Sequence, residues 1–100
     1  MRVRFLELAH RELSDAVLFY DLEFSGLGDE FKNEVKAAVA RISRHPAAWP
    51  TELGEIRKCL LHRFPYKILY SVESDYILVV AVAHQHRMPE YWAERVDHGS

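Results

Sequence analysis

Ile77-Leu78-Val79-Val80-Ala81-Val82-Ala83 is apolar at every position. A strand with one wet face alternates apolar and polar residues, because successive side chains leave opposite faces of the sheet. An unbroken run rich in β-branched residues therefore predicts a strand covered on both sides and interior to its sheet. The run is far short of the roughly 20 apolar residues that a membrane helix requires.

Working outward, the strand extends over Tyr76 to His84. Glu73-Ser74-Asp75 is a tight connection, which pairs it with a second β-rich run, Tyr66 to Glu73, as a hairpin. A third run covers Glu55 to Arg63. Before it, His45 to Gly54 (HPAAWPTELG) contains two prolines and reads as a loop. Further upstream the period changes. Leu13, Ala16, Val17, Tyr20, Phe24 and Leu27 follow the spacing of one helix face. Ser25-Gly26-Leu27-Gly28 breaks that helix, and Asp29 is placed to cap a second one. Its stripe is Phe31, Val35, Ala38, Val39 and Ile42, and His45-Pro46 stops it. So short a break predicts an antiparallel helical hairpin. Arg2 to Leu8 alternates like a short strand, and Met88 to Arg95 reads as a final helical turn or two with Pro89 near its start.

The order strand, helix, helix, three strands, short helix predicts the α+β class. The expectation is an N-terminal strand and an antiparallel helical hairpin packed on a curved, mostly antiparallel four-stranded sheet, closed by a short C-terminal helix. One domain over residues 1–100 fits the length. The position of the first strand in the sheet is not legible.

Bulk composition narrows the function classes. Hydrophobic residues make up 49% and charged residues 28%, a balance that excludes a disordered chain. Met1-Arg-Val-Arg-Phe-Leu-Glu lacks the apolar core of a signal peptide, and Cys59 is the one cysteine, so no internal disulfide or cysteine zinc cluster is available. A cytoplasmic protein without membrane contact is expected. The net charge is -2. Acids predominate over residues 1–34, whereas Arg57, Lys58, Arg63, Lys67 and Arg87 outnumber Glu73 and Asp75 over residues 57–87. A local positive face is thus open to the fold.

In element order and length the chain resembles the RelE/ParE superfamily of bacterial and archaeal toxins. Three stretches carry the resemblance: Ala16 to Ile42 with Phe31; His62-Arg63-Phe64-Pro65-Tyr66-Lys67-Ile68-Leu69-Tyr70; and Val80-Ala81-Val82-Ala83-His84-Gln85-His86-Arg87-Met88-Pro89-Glu90-Tyr91-Trp92. The last is similar to the closing strand and Arg-x-Pro-x-Tyr-Trp tail of that family. The resemblance implies the toxin of a type II toxin–antitoxin system, which inhibits growth, serves plasmid stabilisation in some settings, and is neutralised by a cognate antitoxin wrapping the sheet and hairpin. Family targets divide between DNA gyrase and ribosome-bound mRNA, and some members are inert.

Metal-free RNA cleavage needs a base for the 2′-hydroxyl, a cation for the phosphate and an acid for the leaving oxygen. The candidates for that alternative are Arg63 at a strand start, His84 and His86 on one strand face, Arg87, and Tyr91. Against it, a mildly acidic chain is poorly matched to a polyanion. Arg57, Lys58, Arg63 and Lys67 with Tyr66 and Tyr70 are candidates for a nucleic-acid groove, although strand alternation divides them between faces. His62, His84 and His86 have the residue type for zinc but no carboxylate or cysteine at helpful spacing, so no metal and no small-molecule cofactor is expected. Cys59 reads as a buried hydrophobe, and Trp49 and Trp92 as packing residues. The leading expectation is a ParE-like toxin that binds a macromolecular target, with DNA gyrase as the expected one. The alternatives are a ribosome-dependent mRNA endoribonuclease and a non-toxic relative that binds antitoxin alone.

Overall fold

The computed structural model of the chain describes residues 1–96, so the last four positions of the expected domain lie outside the described residues. The elements are β1 (Arg2–Phe5), α1 (Glu7–Glu23), α2 (Leu27–Arg44), β2 (Thr51–Leu53), β3 (Ile56–Leu60), β4 (Tyr66–Val72) and β5 (Tyr76–His84), followed by 3-10 turns at Pro89–Tyr91 and Ala93–Arg95.

The strands form one sheet in the order β1-β5-β4-β3-β2. β5 is interior, as its apolar run requires. β4 pairs antiparallel with both β5 and β3. β1 lies parallel to β5, with Arg2 opposite Tyr76 and Phe5 opposite Val79. A parallel neighbour needs a long crossover, and the helical hairpin supplies part of it.

Five strands replace the expected four. The addition is β2, inside what reads as a loop, where Leu53 pairs with Ile56 across Gly54 and Glu55. Gly54 holds φ 56°, which a residue with a side chain adopts at a cost. The first strand is also shorter than expected, ending at Phe5 instead of Leu8. Glu7 and Arg11 form an i,i+4 pair at 3.2 Å, and the helix claims these residues. Leu6 marks the switch: its N–H donates to Val79 O at 3.0 Å, while its carbonyl accepts the first helical bond from His10.

The hairpin turn also departs from expectation. Gly26, at φ 91°, precedes α2 as its cap residue, and Asp29 stands in the first turn without capping. The carboxylate at this turn is Asp21, which accepts the N–H of Gly26 at 3.0 Å and of Gly28 at 3.3 Å. Gly28 lies inside α2 where the helices touch. A Cβ there would come 2.4 Å from Val17 O. Phe24, expected in the buried stripe, is exposed.

Two cores sandwich the sheet. Between sheet and hairpin lie Phe31, Val35, Ala38, Ile42, Cys59, Ile68, Tyr70, Ile77, Val79 and Val82, and the other face buries Ile56, Leu69, Val80, Ala81, Ala83 and Trp92. Cover on both faces explains why the β5 run has no polar position, and a bulge turns Val80 and Ala81 to the same side. Tyr70 pairs with Val79 and Leu69 with Ala81, leaving Val80 as the extra residue. The 3-10 turns lay Trp92 over the second face, where its ring is fully buried. Tyr70 is buried too, its hydroxyl donating to Pro46 O at 2.6 Å, and burial pushes its pKa up to about 12.

Candidate functional site

β1 stops at Phe5, so the β1-facing edge of β5 has no strand beside it from Val80 onward. Side chains take over there. Val82 N–H donates to Glu12 Oε1 at 3.0 Å, and Arg95 Nη1 donates to Val80 O at 3.2 Å. Glu12 and Arg95 also pair with each other through two bonds of 2.8 and 2.9 Å. This ion pair therefore occupies the line of a missing strand and ties the C-terminal tail to α1. Burial raises the Glu12 pKa, but bonds from Arg95, Tyr91 and Val82 N–H together with the Arg95 charge outweigh that, and the carboxyl sits below its ordinary value.

Beside this pair opens a cleft of about 310 Å³ between α1, the end of β5 and the tail. Its walls are Glu12, Asp15, Ala16 and Phe19 on one side and Tyr66, Val82, Ala83, His84, Arg87 and Tyr91 on the other. Three of the five expected RNA-cleaving side chains, His84, Arg87 and Tyr91, meet here. Arg87 lies 4.3 Å from the centre of the Tyr91 ring. His86 stands at the rim with its ring 5.3 Å from that of His84. The two histidines do not share a strand face as expected. β5 ends at His84, the chain turns, and His86 N–H donates to His84 Nδ1 at 3.3 Å.

Arg63 is not part of this cleft. It does not begin a strand, because β3 ends at Leu60 and Glu34 of α2 draws the following loop inward, accepting the N–H of His62 at 2.5 Å and of Arg63 at 3.1 Å. Its guanidinium pairs with Glu30 of α2, and that hydrogen bond first, then the charge of Glu30, raises its pKa. The hydroxyl of Tyr91 is held protonated above its ordinary pKa, first by its hydrogen bond to Glu12 and then by burial. Tyr66 is raised likewise, by burial and then by the Glu12 charge.

The basic groove expected on β3 and β4 is dispersed. Lys67 is buried, with Nζ 2.8 Å from Glu52 Oε2 and 3.1 Å from Arg87 O. Arg57 donates to the carbonyl of Trp49 at 2.5 Å. Cys59 is fully buried, and burial raises its thiol pKa, with Arg41 pulling the other way. Among the described residues, no three histidine, cysteine or carboxylate side chains converge as a metal site requires. No helix among them is long and apolar enough to cross a membrane.

The sequence reasoning missed the carboxylates Glu12 and Asp15 and the apolar wall Phe19. Their signal was the spacing 12, 15, 19, a second helix face beside the core stripe. Phe19 continues outward into Leu18, Leu22 and Phe24, which are 60%, 79% and 72% exposed. α1 thus carries an apolar strip on its outward side, beginning at the cleft and running to the hairpin turn.

The family model for the ParE toxin of the type II toxin–antitoxin system parDE matches residues 3–89. No curated protein matches the chain. Among solved structures, the chain is similar to one described as the chromosomal ParDE toxin–antitoxin system from P. aeruginosa, with a TM-score of 0.64 and 16% identity over 84% of this chain and 95% of that one. It is also similar to the toxin–antitoxin complex RelBE2 from Mycobacterium tuberculosis, with a TM-score of 0.56 and 21% identity over 83% of this chain and 95% of the other. At these identities the likeness speaks to the fold.

Proposed function

The chain belongs to the ParE toxin family of type II toxin–antitoxin systems, and from that premise we propose that it inhibits growth in the cytoplasm by binding a protein target, DNA gyrase, until a cognate antitoxin covers it. One observation carries the binding mode. α1 turns Leu18, Phe19 and Leu22 to solvent, with Phe24 beside them, and a contiguous exposed apolar strip of this kind marks a protein interface. An antitoxin helix laid along that strip would place apolar anchors three and four residues apart. The adjoining cleft sets Glu12 and Asp15 against Arg87 and His84. That mixture favours a protein surface over a chain of phosphates, which calls for cations alone.

The test uses purified protein and gyrase. Dose-dependent loss of supercoiling or accumulation of gyrase-cleaved DNA is expected, and relief on adding antitoxin. Gyrase left untouched at high molar excess would remove the target assignment.

A second reading is a ribosome-dependent mRNA endoribonuclease, favoured by the meeting of His84, His86, Arg87 and Tyr91 at one cleft mouth. It predicts mRNA cut on translating ribosomes and cutting abolished in His84→Ala and Arg87→Ala with the fold retained. Arg63 would contribute only after leaving Glu30. A chain that binds antitoxin yet leaves growth unaffected when expressed alone would instead be a non-toxic relative.

A further inference from the structure

We propose that a second recess, on the outer edge of β3, binds one nucleotide unit of a single-stranded nucleic acid. The proposal goes beyond the toxin reading and does not depend on it. β2 pairs only with Ile56 and Arg57, and Lys58 N–H donates to Pro50 O at 3.0 Å. Beyond that bond the edge of β3 is open. A recess of about 320 Å³ lies there, between the strand edge, the last turn of α2 and the Trp49-Pro50 loop. Its volume falls at the small end of ligand pockets, the scale of a base with its sugar and phosphate.

The charge around this recess is one-sided. Arg41, Lys58 and His62 line it, and no carboxylate does. Among the described residues, neither the Arg41 guanidinium nor the His62 ring has an acid within ion-pair distance; Glu34 accepts the backbone N–H of His62 but does not line the recess, and the Arg41 side chain contacts the Cys59 thiol. Lys58 is 3.6 Å from Glu52, but that carboxylate is shared with Lys67, which holds it at 2.8 Å. Cations in the last turn of a helix offset its dipole. Arg44 is available for that role and is exposed outside the recess, whereas Arg41 lines it.

The apolar part of the wall is Trp49, Pro50 and the half-exposed Leu60. Trp49 packs against the core on one side and borders the recess on the other. Guanidinium and imidazole donors beside a flat indole are what a phosphate and a stacked base require. A carboxylate-bearing peptide would meet the cations but would leave the indole without a stacking partner. The β5-edge cleft is the opposite case, with Glu12 and Asp15 in its wall.

The test reads tryptophan fluorescence of the whole chain. Trp92 is fully buried, so a response at the recess comes from Trp49. Uridine 5′-monophosphate, short oligomers of uridine and of deoxythymidine, inorganic phosphate and a glutamate-rich peptide are titrated separately. Saturable quenching by the mononucleotide and by the oligomers, weakening with salt, is expected. Response to one oligomer alone also supports the site and fixes RNA or DNA as its source. Arg41→Ala, with melting retained, should weaken binding roughly tenfold, the size of one lost charged hydrogen bond. Lys58→Ala serves the same purpose if Arg41→Ala fails to fold. Trp49→Phe should remove the optical signal while calorimetry still detects weakened binding. Any of three results overturns the proposal: no response to nucleotides at saturating concentration, an equal or stronger response to the glutamate peptide, or unchanged affinity in the folded cation variant.

Discussion

The two helices of the hairpin differ in how they use their apolar residues. α2, 18 residues long, buries Phe31, Val35, Ala38 and Ile42 along one face, and the residues on its other side are polar or small. α1, 17 residues long, fully buries only Ala9 and Ala16, and its largest apolar side chains divide between an inner and an outer side. Burial of an apolar face is enough to explain α2. It leaves Leu18, Phe19 and Leu22 unexplained, because apolar side chains held in water contribute nothing to folding. α2 is scaffold, and α1 is scaffold on one side and, in the function proposed above, interface on the other.

Mutations can break that contrast at several strengths. Phe31→Ala in α2 has the largest expected effect, because its ring meets Tyr20, Phe64 and Tyr66 at 5.1 to 5.3 Å. A loss of about 3–5 kcal/mol is expected, against a typical total of about 5–15 kcal/mol. Denaturant unfolding would show it, and a stability change under about 1 kcal/mol would mean that α2 is not the scaffold. On α1, Phe19→Asp combined with Leu22→Asp should leave unfolding within about 0.5 kcal/mol of wild type. Antitoxin affinity should fall about 100-fold, some 2.7 kcal/mol, measured by calorimetry.

Gly28→Ala probes the contact between the helices. The added methyl meets the Val17 carbonyl, and a cost of about 1–3 kcal/mol follows from overpacking. An unperturbed melting curve would show that the helices separate freely at that point. The smallest effect is expected for Glu12→Gln, which keeps a hydrogen-bond acceptor but weakens the tie to Arg95, costing about 1 kcal/mol. Its pH signature is specific. The folded carboxyl of Glu12 lies below its ordinary value, so its contribution is complete above the unfolded pKa and is lost as pH falls through the folded one. Wild type should lose stability faster than Glu12→Gln on acidification through that range. Parallel slopes would remove the ion pair as a tether of the tail.

What the sequence made legible follows the same contrast. The all-apolar run of β5, the hairpin at Glu73-Ser74-Asp75 and the stripe of α2 were all readable, because each is enforced by periodic burial. β2 was hidden in a proline-marked loop, since three residues carry no period; Gly54 ahead of Glu55 was the one local sign of a two-residue turn. The parallel seat of β1 was illegible because it depends on how the hairpin crosses the sheet. At the cleft, His84, Arg87 and Tyr91 were singled out by residue type. Glu12 and Asp15 were not, because carboxylates on an exposed helix look like solvated charge until the strand edge beside them is known to be open. Arg63 looked free in sequence, and its partner Glu30 stands thirty-three positions away.

Amide hydrogen exchange on the toxin, alone and with its antitoxin, tests most directly whether the outward side of α1 is the docking surface. Added protection should concentrate over residues 15–24, while α2, already sealed against the sheet, changes little. Protection gained along α2 with residues 15–24 unchanged would contradict it.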